Sequence, residues 1–326
     1  MLHVSFNQDS TCFACGTDQG FAVYNCDPPT ERFSRIEKES IQPNGIGIVE
    51  MLFRSNIFAL VGGGDHPKYA KNMLMIWDDF QGKCIAELEF KSQVTGVRLR
   101  RDMILVTIID KAYIYNFTDL HMINSYDTHV NKNGLCALTS GTDAILAIPD
   151  AKPGSVKVIH HLTKKELTIE AHTSPLAVLC LNSEGTKLAT VSERGTLIRV
   201  WDTRTGAKLR ELRRGVEPVV TTSLCFDLAS SRIAMCSDKG TVHIFSLADS
   251  ENTNRRSTLM YISDYLPQYF SSEWSTVSFT VTPGSVCAFG PTPDTLYVVD
   301  PTGGYSKYSY NTIDGNTKCS DQIKII

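Results

Sequence analysis

No stretch of the 326-residue chain approaches the ~18 consecutive apolar residues that a membrane-crossing helix needs. Charge of one sign is also scarce, with 32 Lys and Arg set against 35 Asp and Glu and a formal net charge of −3. Bulk charge therefore does not make the chain a polyanion binder, and any anion site has to be local. The marks of an enzyme are missing. Gly62-Gly63-Gly64-Asp65 lacks the Lys-Ser/Thr of a phosphate-binding loop, and no Gly-x-Ser-x-Gly elbow occurs. His160 and His161, on a strand, point to opposite faces and have no third ligand at a suitable spacing. Of ten cysteines only Cys12 and Cys15 have a CxxC spacing, with no second pair to complete a zinc site. Most of the others lie in apolar runs such as Val178-Leu179-Cys180-Leu181, where a free cysteine acts as a small buried hydrophobe. The expectation is ten reduced thiols, no metal, no cofactor and no catalysis. The amino terminus, Met1-Leu2-His3-Val4-Ser5-Phe6, starts as an alternating strand without the form of a signal peptide, so a cytoplasmic protein is expected.

Convincing amphipathic helices are absent before residue 255. Short apolar strands, punctuated by Gly, Asp, Asn and Pro, run from end to end instead. A unit recurs whose third strand alternates aromatic or β-branched residues. These strands are Phe21-Ala22-Val23-Tyr24, Met73-Leu74-Met75-Ile76-Trp77, Ala112-Tyr113-Ile114-Tyr115, Val156-Lys157-Val158-Ile159, Leu197-Ile198-Arg199-Val200-Trp201, Val242-His243-Ile244-Phe245 and Tyr305-Ser306-Lys307-Tyr308. Most of their spacings fall near the ~40–45 residues of a four-stranded propeller blade, and Trp77-Asp78 and Trp201-Asp202 occupy the WD position. The sequence thus predicts an all-β fold, a single seven-bladed β-propeller of WD40-like repeats over 1–326. Blade five is expected at 176–182, 187–191, 196–201 and 208–212. Blade six follows at 223–226, 232–236 and 241–245, with a delayed fourth strand at 274–281. Blade seven, from 285 to about 323, holds four strands of its own, so no strand exchange between the termini is expected.

The delay leaves a long connection, about 247–273. Its first part, 249–258, is polar. Its second part, 259–270, is apolar and aromatic, and Leu259, Ile262, Leu266 and Tyr269/Phe270 would share one helical face, although Pro267 argues against one unbroken helix. Two readings stand side by side: the segment folds back onto the propeller, or it lies at a bilayer surface with Arg255-Arg256 at its edge.

The richest local chemistry surrounds Leu212-Arg213-Arg214-Gly215. Successive strand side chains point to opposite faces, so Arg213 and Arg214 can serve two separate anion pockets. The guanidinium fork suits phosphate oxygens. From 187 to 214 there are eight basic residues (Lys187, Arg194, Arg199, Arg204, Lys208, Arg210, Arg213, Arg214) against three acids (Glu193, Asp202, Glu211). This compact cluster lacks a stacking platform, which disfavours nucleic acid. The similar Leu99-Arg100-Arg101-Asp102 is expected to have nothing polar arranged around it. Blades five and six also carry matching turns, Ser192-Glu193-Arg194-Gly195-Thr196 and Ser237-Asp238-Lys239-Gly240-Thr241. Ser and Gly are ordinary turn chemistry. The repeated base beside a strand end with two arginines is not. His172, just before blade five, stands where many WD repeats keep a structural histidine.

Together these segments resemble the PROPPIN family of phosphoinositide-binding propellers, which includes the WIPI proteins. Besides the Leu-Arg-Arg-Gly motif, the resemblance rests on Phe6-Asn7-Gln8-Asp9 with Cys12-Phe13-Ala14-Cys15-Gly16, Val49-Glu50-Met51-Leu52-Phe53-Arg54, Ala59-Leu60-Val61-Gly62-Gly63-Gly64 and Met75-Ile76-Trp77-Asp78-Asp79. Gly195-Thr196-Leu197-Ile198-Arg199, Gly240-Thr241-Val242-His243-Ile244-Phe245, Tyr269-Phe270-Ser271-Ser272-Glu273-Trp274 and Cys287-Ala288-Phe289-Gly290 extend it over essentially the whole chain. The resemblance implies one headgroup pocket of His172, Ser192, Thr196 and Arg213, and a second of Arg214, Ser237, Lys239, Thr241 and His243. Both would take phosphatidylinositol 3-phosphate or the 3,5-bisphosphate. It further implies a membrane-inserting loop with Leu259, Ile262, Tyr265, Leu266, Tyr269 and Phe270, and a partner, a lipid-transfer protein of autophagy, meeting Asn7 and Asp9. A monomer recruited to phagophore, endosomal or vacuolar/lysosomal membranes is the resulting expectation. The rival is a WD40 protein-interaction scaffold without lipid dependence, since a propeller does not fix function.

Overall fold

The computed structural model describes residues 1–37, 44–248 and 273–325. Seven sheets follow one another along the chain, antiparallel but for one added strand in the fifth, and no helix occurs among the described residues. Each sheet is one propeller blade, as expected. The innermost strands are His3–Phe6, Ile46–Met51, Val94–Leu99, Ala137–Leu138, Leu176–Leu181, Thr221–Phe226 and Val286–Phe289. All seven predicted third strands are observed.

Burial explains why the second strands read as continuous apolar runs. Cys12–Thr17 and Met103–Ile108 are buried at every position, because a neighbouring blade covers each face. Outer strands such as Lys83–Glu89 alternate exposed and half-buried residues. In blades one, two, three, five and seven the register between third and fourth strands slips near the same place, at Val23/Tyr24, Ile76/Trp77, Ile114/Tyr115, Val200/Trp201 and Lys307/Tyr308. Such a bulge bends the outer strand and increases its local twist.

The core consists of seven wedges, one between each pair of neighbouring blades. The wedge between blades seven and one closes the ring. Phe13 stacks on Tyr305 (centroids 5.4 Å apart, planes within 2°) and on Tyr24 at 5.3 Å. Each such aromatic pair adds about 0.5–1.5 kcal/mol beyond its buried area. Tyr305 Oη donates to the Cys26 carbonyl, Tyr24 Oη donates to the Ile325 carbonyl at 2.6 Å, and Lys307 pairs with Asp27 at 2.7 Å. Blade seven is completed by its own strands Gly304–Tyr310 and Thr317–Lys324, so no strand is exchanged with blade one.

The expected fourth strand of blade six, 274–281, needs correction. Only Val277–Thr280 pairs with the third strand of blade six. Glu273–Trp274 runs parallel to Lys208–Arg213 and makes blade five a five-stranded sheet, with Leu212 opposite Glu273 and Arg213 opposite Trp274. The Thr276 N–H donates to the Ile244 carbonyl, and this contact carries the chain from one blade to the next. The alternation changes phase at Ser275-Thr276, between Trp274 and the Val277, Phe279, Val281 series, which marks a break in the strand without naming the sheet edge that receives each part.

Candidate phosphoinositide site

Strand direction decides which groups meet. In blade five the third strand begins at the tight turn 192–195, and the antiparallel fourth strand ends beside it, with Leu197 opposite Arg213. The Arg214 N–H donates to the Thr196 carbonyl at 3.0 Å. Leu176, at the start of the first strand, is opposite Ser192. Ser192, Thr196, Arg213, Arg214 and the chain entering from His172 therefore share one end of the blade.

The two turns match in geometry as well as in sequence. The Gly195 N–H donates to the Ser192 carbonyl at 2.8 Å, and the Gly240 N–H to the Ser237 carbonyl at 3.0 Å. Both glycines are left-handed, with φ +64° and +69°. A Cβ on Gly195 would lie 2.2 Å from the Val219 carbonyl oxygen. Glycine is needed there both for conformation and for space.

In blade six, Ser237 Oγ and Thr241 Oγ1 lie 3.0 Å apart, and Lys239 is exposed at the turn tip. His243 is half-buried. Burial and then the charge of Arg214 push its pKa down to about 4, which places the guanidinium within electrostatic reach of the ring. Its Nδ1 lies 3.1 Å from Ser275 Oγ. Arg214 donates from Nε to the Gly195 carbonyl at 3.3 Å and from Nη2 to the Glu217 carbonyl. Burial draws its pKa below the ordinary arginine value, against the opposing pull of Asp238 and Glu217. Thr221, opposite Ser237 in register, keeps a buried hydroxyl without a hydrogen-bond partner. Sequence reasoning missed Ser275, Glu217 and Thr221, and only the strand register shows them.

His172 has a structural role. Its Nε2 lies 3.0 Å from Thr190 Oγ1, which also accepts the Trp201 Nε1–H at 3.0 Å. Burial, with the Arg199 charge second, pushes the histidine pKa down to about 4. This His–Thr–Trp chain, with Arg199 donating to the Ala171 carbonyl at 2.7 Å, fastens the entry of blade five to its third strand.

The basic residues do not form one cluster. Antiparallel strands take successive turns to opposite ends, so Arg194, Arg213 and Arg214 stand at one end of blade five and Lys187, Arg204 and Lys208 at the other. Arg199 and Lys208 are held by Glu211 at 2.9 and 3.2 Å. Lys187 donates to the Ser230 carbonyl at 2.9 Å. Arg100, expected to stand without polar neighbours, is the clearer correction. It pairs with Asp102 at 2.7 Å and donates to the carbonyls of Thr139, Gly141 and Thr142, while Arg101 lies over the Phe53 ring.

Asn7 is 5 % exposed, and its amide joins a turn. Oδ1 accepts the Cys12 N–H at 3.0 Å, and Nδ2 donates to Thr11 Oγ1 at 3.2 Å. Asn182 builds the same turn in blade five. Asp9 accepts from Thr11 nearby. Leu259, Ile262, Tyr265, Leu266, Tyr269 and Phe270 lie outside the described residues. A cavity of about 400 Å3 occupies the central channel around Glu50 and Arg98 and contains none of the expected headgroup ligands. All ten cysteines are free, and no group of side chains among the described residues is arranged to hold a metal ion.

The PROPPIN family model matches residues 1–281. Autophagy-related protein 18e of Arabidopsis thaliana is 35% identical over 323 residues, covering 97% of this chain and 85% of that protein. SVP1-like protein 2 of Pichia angusta is 34% identical, covering 86% of this chain and 81% of its own. The solved structure of Kluyveromyces lactis Hsv2 superposes with a TM-score of 0.80 at 25% identity, covering 100% of this chain and 99% of that one. Seven blades, the Arg213-Arg214 strand end between two matched turns and these likenesses converge: the chain belongs to the PROPPIN family, non-enzymatic phosphoinositide-binding propellers with autophagy-related members.

Proposed function

We propose that the protein is a peripheral membrane effector that binds phosphatidylinositol 3-phosphate, the 3,5-bisphosphate or both, through two pockets fed by Arg213 and Arg214. The first pocket takes Ser192, Thr196 and Arg213, with His172 fixing its wall. The second takes Arg214, Ser237, Lys239, Thr241 and His243. The duplicated turn carries this reading: two left-handed glycine turns of matching sequence lie at the same end of adjacent blades, and the arginine pair ends the strand between them. One phosphate held by an arginine and hydroxyls is a modest interaction. Two on one membrane plane reinforce each other through effective concentration. The lipids would recruit the protein to phagophore, endosomal or vacuolar/lysosomal membranes, where it would bring a lipid-transfer or scaffold partner.

Flotation on vesicles carrying phosphatidylinositol 3-phosphate, the 3,5-bisphosphate, the 4-phosphate or no phosphoinositide tests this reading. Arg213→Thr/Arg214→Thr runs beside the wild type, and circular dichroism monitors folding. Wild-type flotation restricted to 3-phosphorylated lipids, and lost in the folded double variant, is expected. A wild type that stays soluble with every lipid would leave a protein-interaction scaffold.

A further inference from the structure

We propose that the connection between blades five and six, 215–220, is a second membrane-contacting element, an apolar tip that rests on the lipid surface between the two headgroup pockets. This inference depends on the two-pocket reading and adds a contact to it.

The connection is short and tied at both ends. Arg214 fastens its start to Thr196, Gly195 and Glu217. The Val219 N–H donates to the Arg194 carbonyl at 3.2 Å, on the blade-five turn. Val220 clasps the blade-six turn, where its N–H donates to Asp238 Oδ1 at 3.0 Å and its carbonyl accepts the Asp238 N–H at 2.9 Å. The loop therefore bridges the very turns that frame the two pockets.

Its apolar residues are divided. Val219 is buried in the wedge between blades five and six, against Gly195. Val216 and Val220 are 59% and 62% exposed, and Pro218 between them is exposed too. One exposed valine on a surface means nothing. Here two flank a proline on a loop held by hydrogen bonds, so little conformational entropy is lost when they enter an interface. The exposed Arg194 and Lys239 stand at the two turns the loop joins, and exposed Glu193 and Glu217 lie beside them. The apolar contact of Val216, Pro218 and Val220, rather than net charge, therefore carries the attraction. Apolar residues on a fixed loop between two headgroup pockets suit the headgroup–acyl boundary of a membrane. Val219 as the inward anchor explains why its neighbours face out.

The test compares wild type with Val216→Ser/Val220→Ser on phosphatidylcholine vesicles containing phosphatidylinositol 3-phosphate, and in calorimetry with soluble inositol 1,3-bisphosphate. Vesicle affinity should fall about three- to tenfold, with soluble headgroup binding unchanged. Val216→Trp should bind vesicles more tightly, and its fluorescence should be quenched by brominated lipid beyond the wild-type level. Equal vesicle affinity of wild type and serine variant, or no added quenching at position 216, overturns the inference and leaves the two pockets standing. A wild type that binds neither vesicle nor soluble headgroup overturns both readings.

Discussion

Trp274 lies opposite Arg213 in parallel register, on the outer edge of blade five, and the next residue, Ser275, places its hydroxyl 3.1 Å from His243 Nδ1. The chain arriving from 249–272 therefore touches the surroundings of both arginines before it enters the fourth strand of blade six. Ser275→Ala removes the partner of a half-buried ring nitrogen, a loss of about 1 kcal/mol. Urea denaturation should show this cost. Calorimetry with the soluble headgroup should show one of two equivalents weakened, and two unchanged equivalents would separate Ser275 from the second pocket.

Arg214→Lys tests whether the guanidinium fork matters or only its charge. A single ammonium does not span the carbonyls of Gly195 and Glu217 while also facing a phosphate. The variant should lose about 1 kcal/mol of stability, and headgroup stoichiometry should fall from two to one. Full retention of both would show that a point charge suffices.

Gly195 and Gly215 should respond oppositely to alanine. At Gly195, φ is +64° and the new Cβ would meet the Val219 carbonyl at 2.2 Å. Left-handed strain alone costs about 1–2 kcal/mol, so Gly195→Ala should lower the thermal midpoint clearly and weaken the first pocket. Gly215, within the Leu-Arg-Arg-Gly motif, has nothing within 4 Å of the added Cβ. Gly215→Ala should leave the midpoint nearly unchanged, and a large drop would mean that the motif glycine has a backbone role beyond the strand end.

His172 and His243 are both held near pKa 4 by burial, below the 6.5 of an exposed imidazole. Their depressed pKa values favour the neutral folded state. The stability they contribute is complete above about pH 6.5 and is lost as the pH falls towards 4. Glu50 works in the other direction, because burial raises its pKa to about 7 despite Arg98 at 3.4 Å. The wild-type profile is thus a balance, and His172→Gln/His243→Gln isolates the histidines. Its midpoint should fall less steeply than the wild type between pH 6.5 and 4. Parallel profiles would sink the assignment.

Tyr305→Phe tests the seam of the ring. It deletes the hydrogen bond to the Cys26 carbonyl and keeps the stack on Phe13. A loss of about 1–2 kcal/mol is expected. Tyr305→Ala empties a fully buried site and should cost about 3–5 kcal/mol. Equal midpoints for the two variants would remove the stack from the account.

The sequence announced the blades because the third strands repeat one alternation and the second strands are mostly apolar, with polar residues such as Lys187, Ser192, Arg232 and Ser237 at their ends. The matched turns were legible too, since serine, glycine and a base at fixed offsets leave few backbone choices. Pattern did not reveal the sorting of charge. Lys187, Arg204 and Lys208 are near Arg213 in the chain, yet antiparallel strands carry them to the far end of the blade. The role of Asn7 was likewise obscured, since an amide that closes a buried turn and one that meets a partner look alike in a string of letters. Trp274 was assigned to the wrong sheet because alternation gives the face of a strand and is silent about its neighbour.

The seam between blades seven and one gives the chain a direction in time. With no strand lent from one end to the other, each of the first four sheets is complete once its own four strands have left the ribosome, and the wedges can assemble in order from the amino terminus. Blade five is the exception. Its fifth strand is made only after the first three strands of blade six, so the edge that carries Arg213 is finished late, just before the last strand of blade six is added.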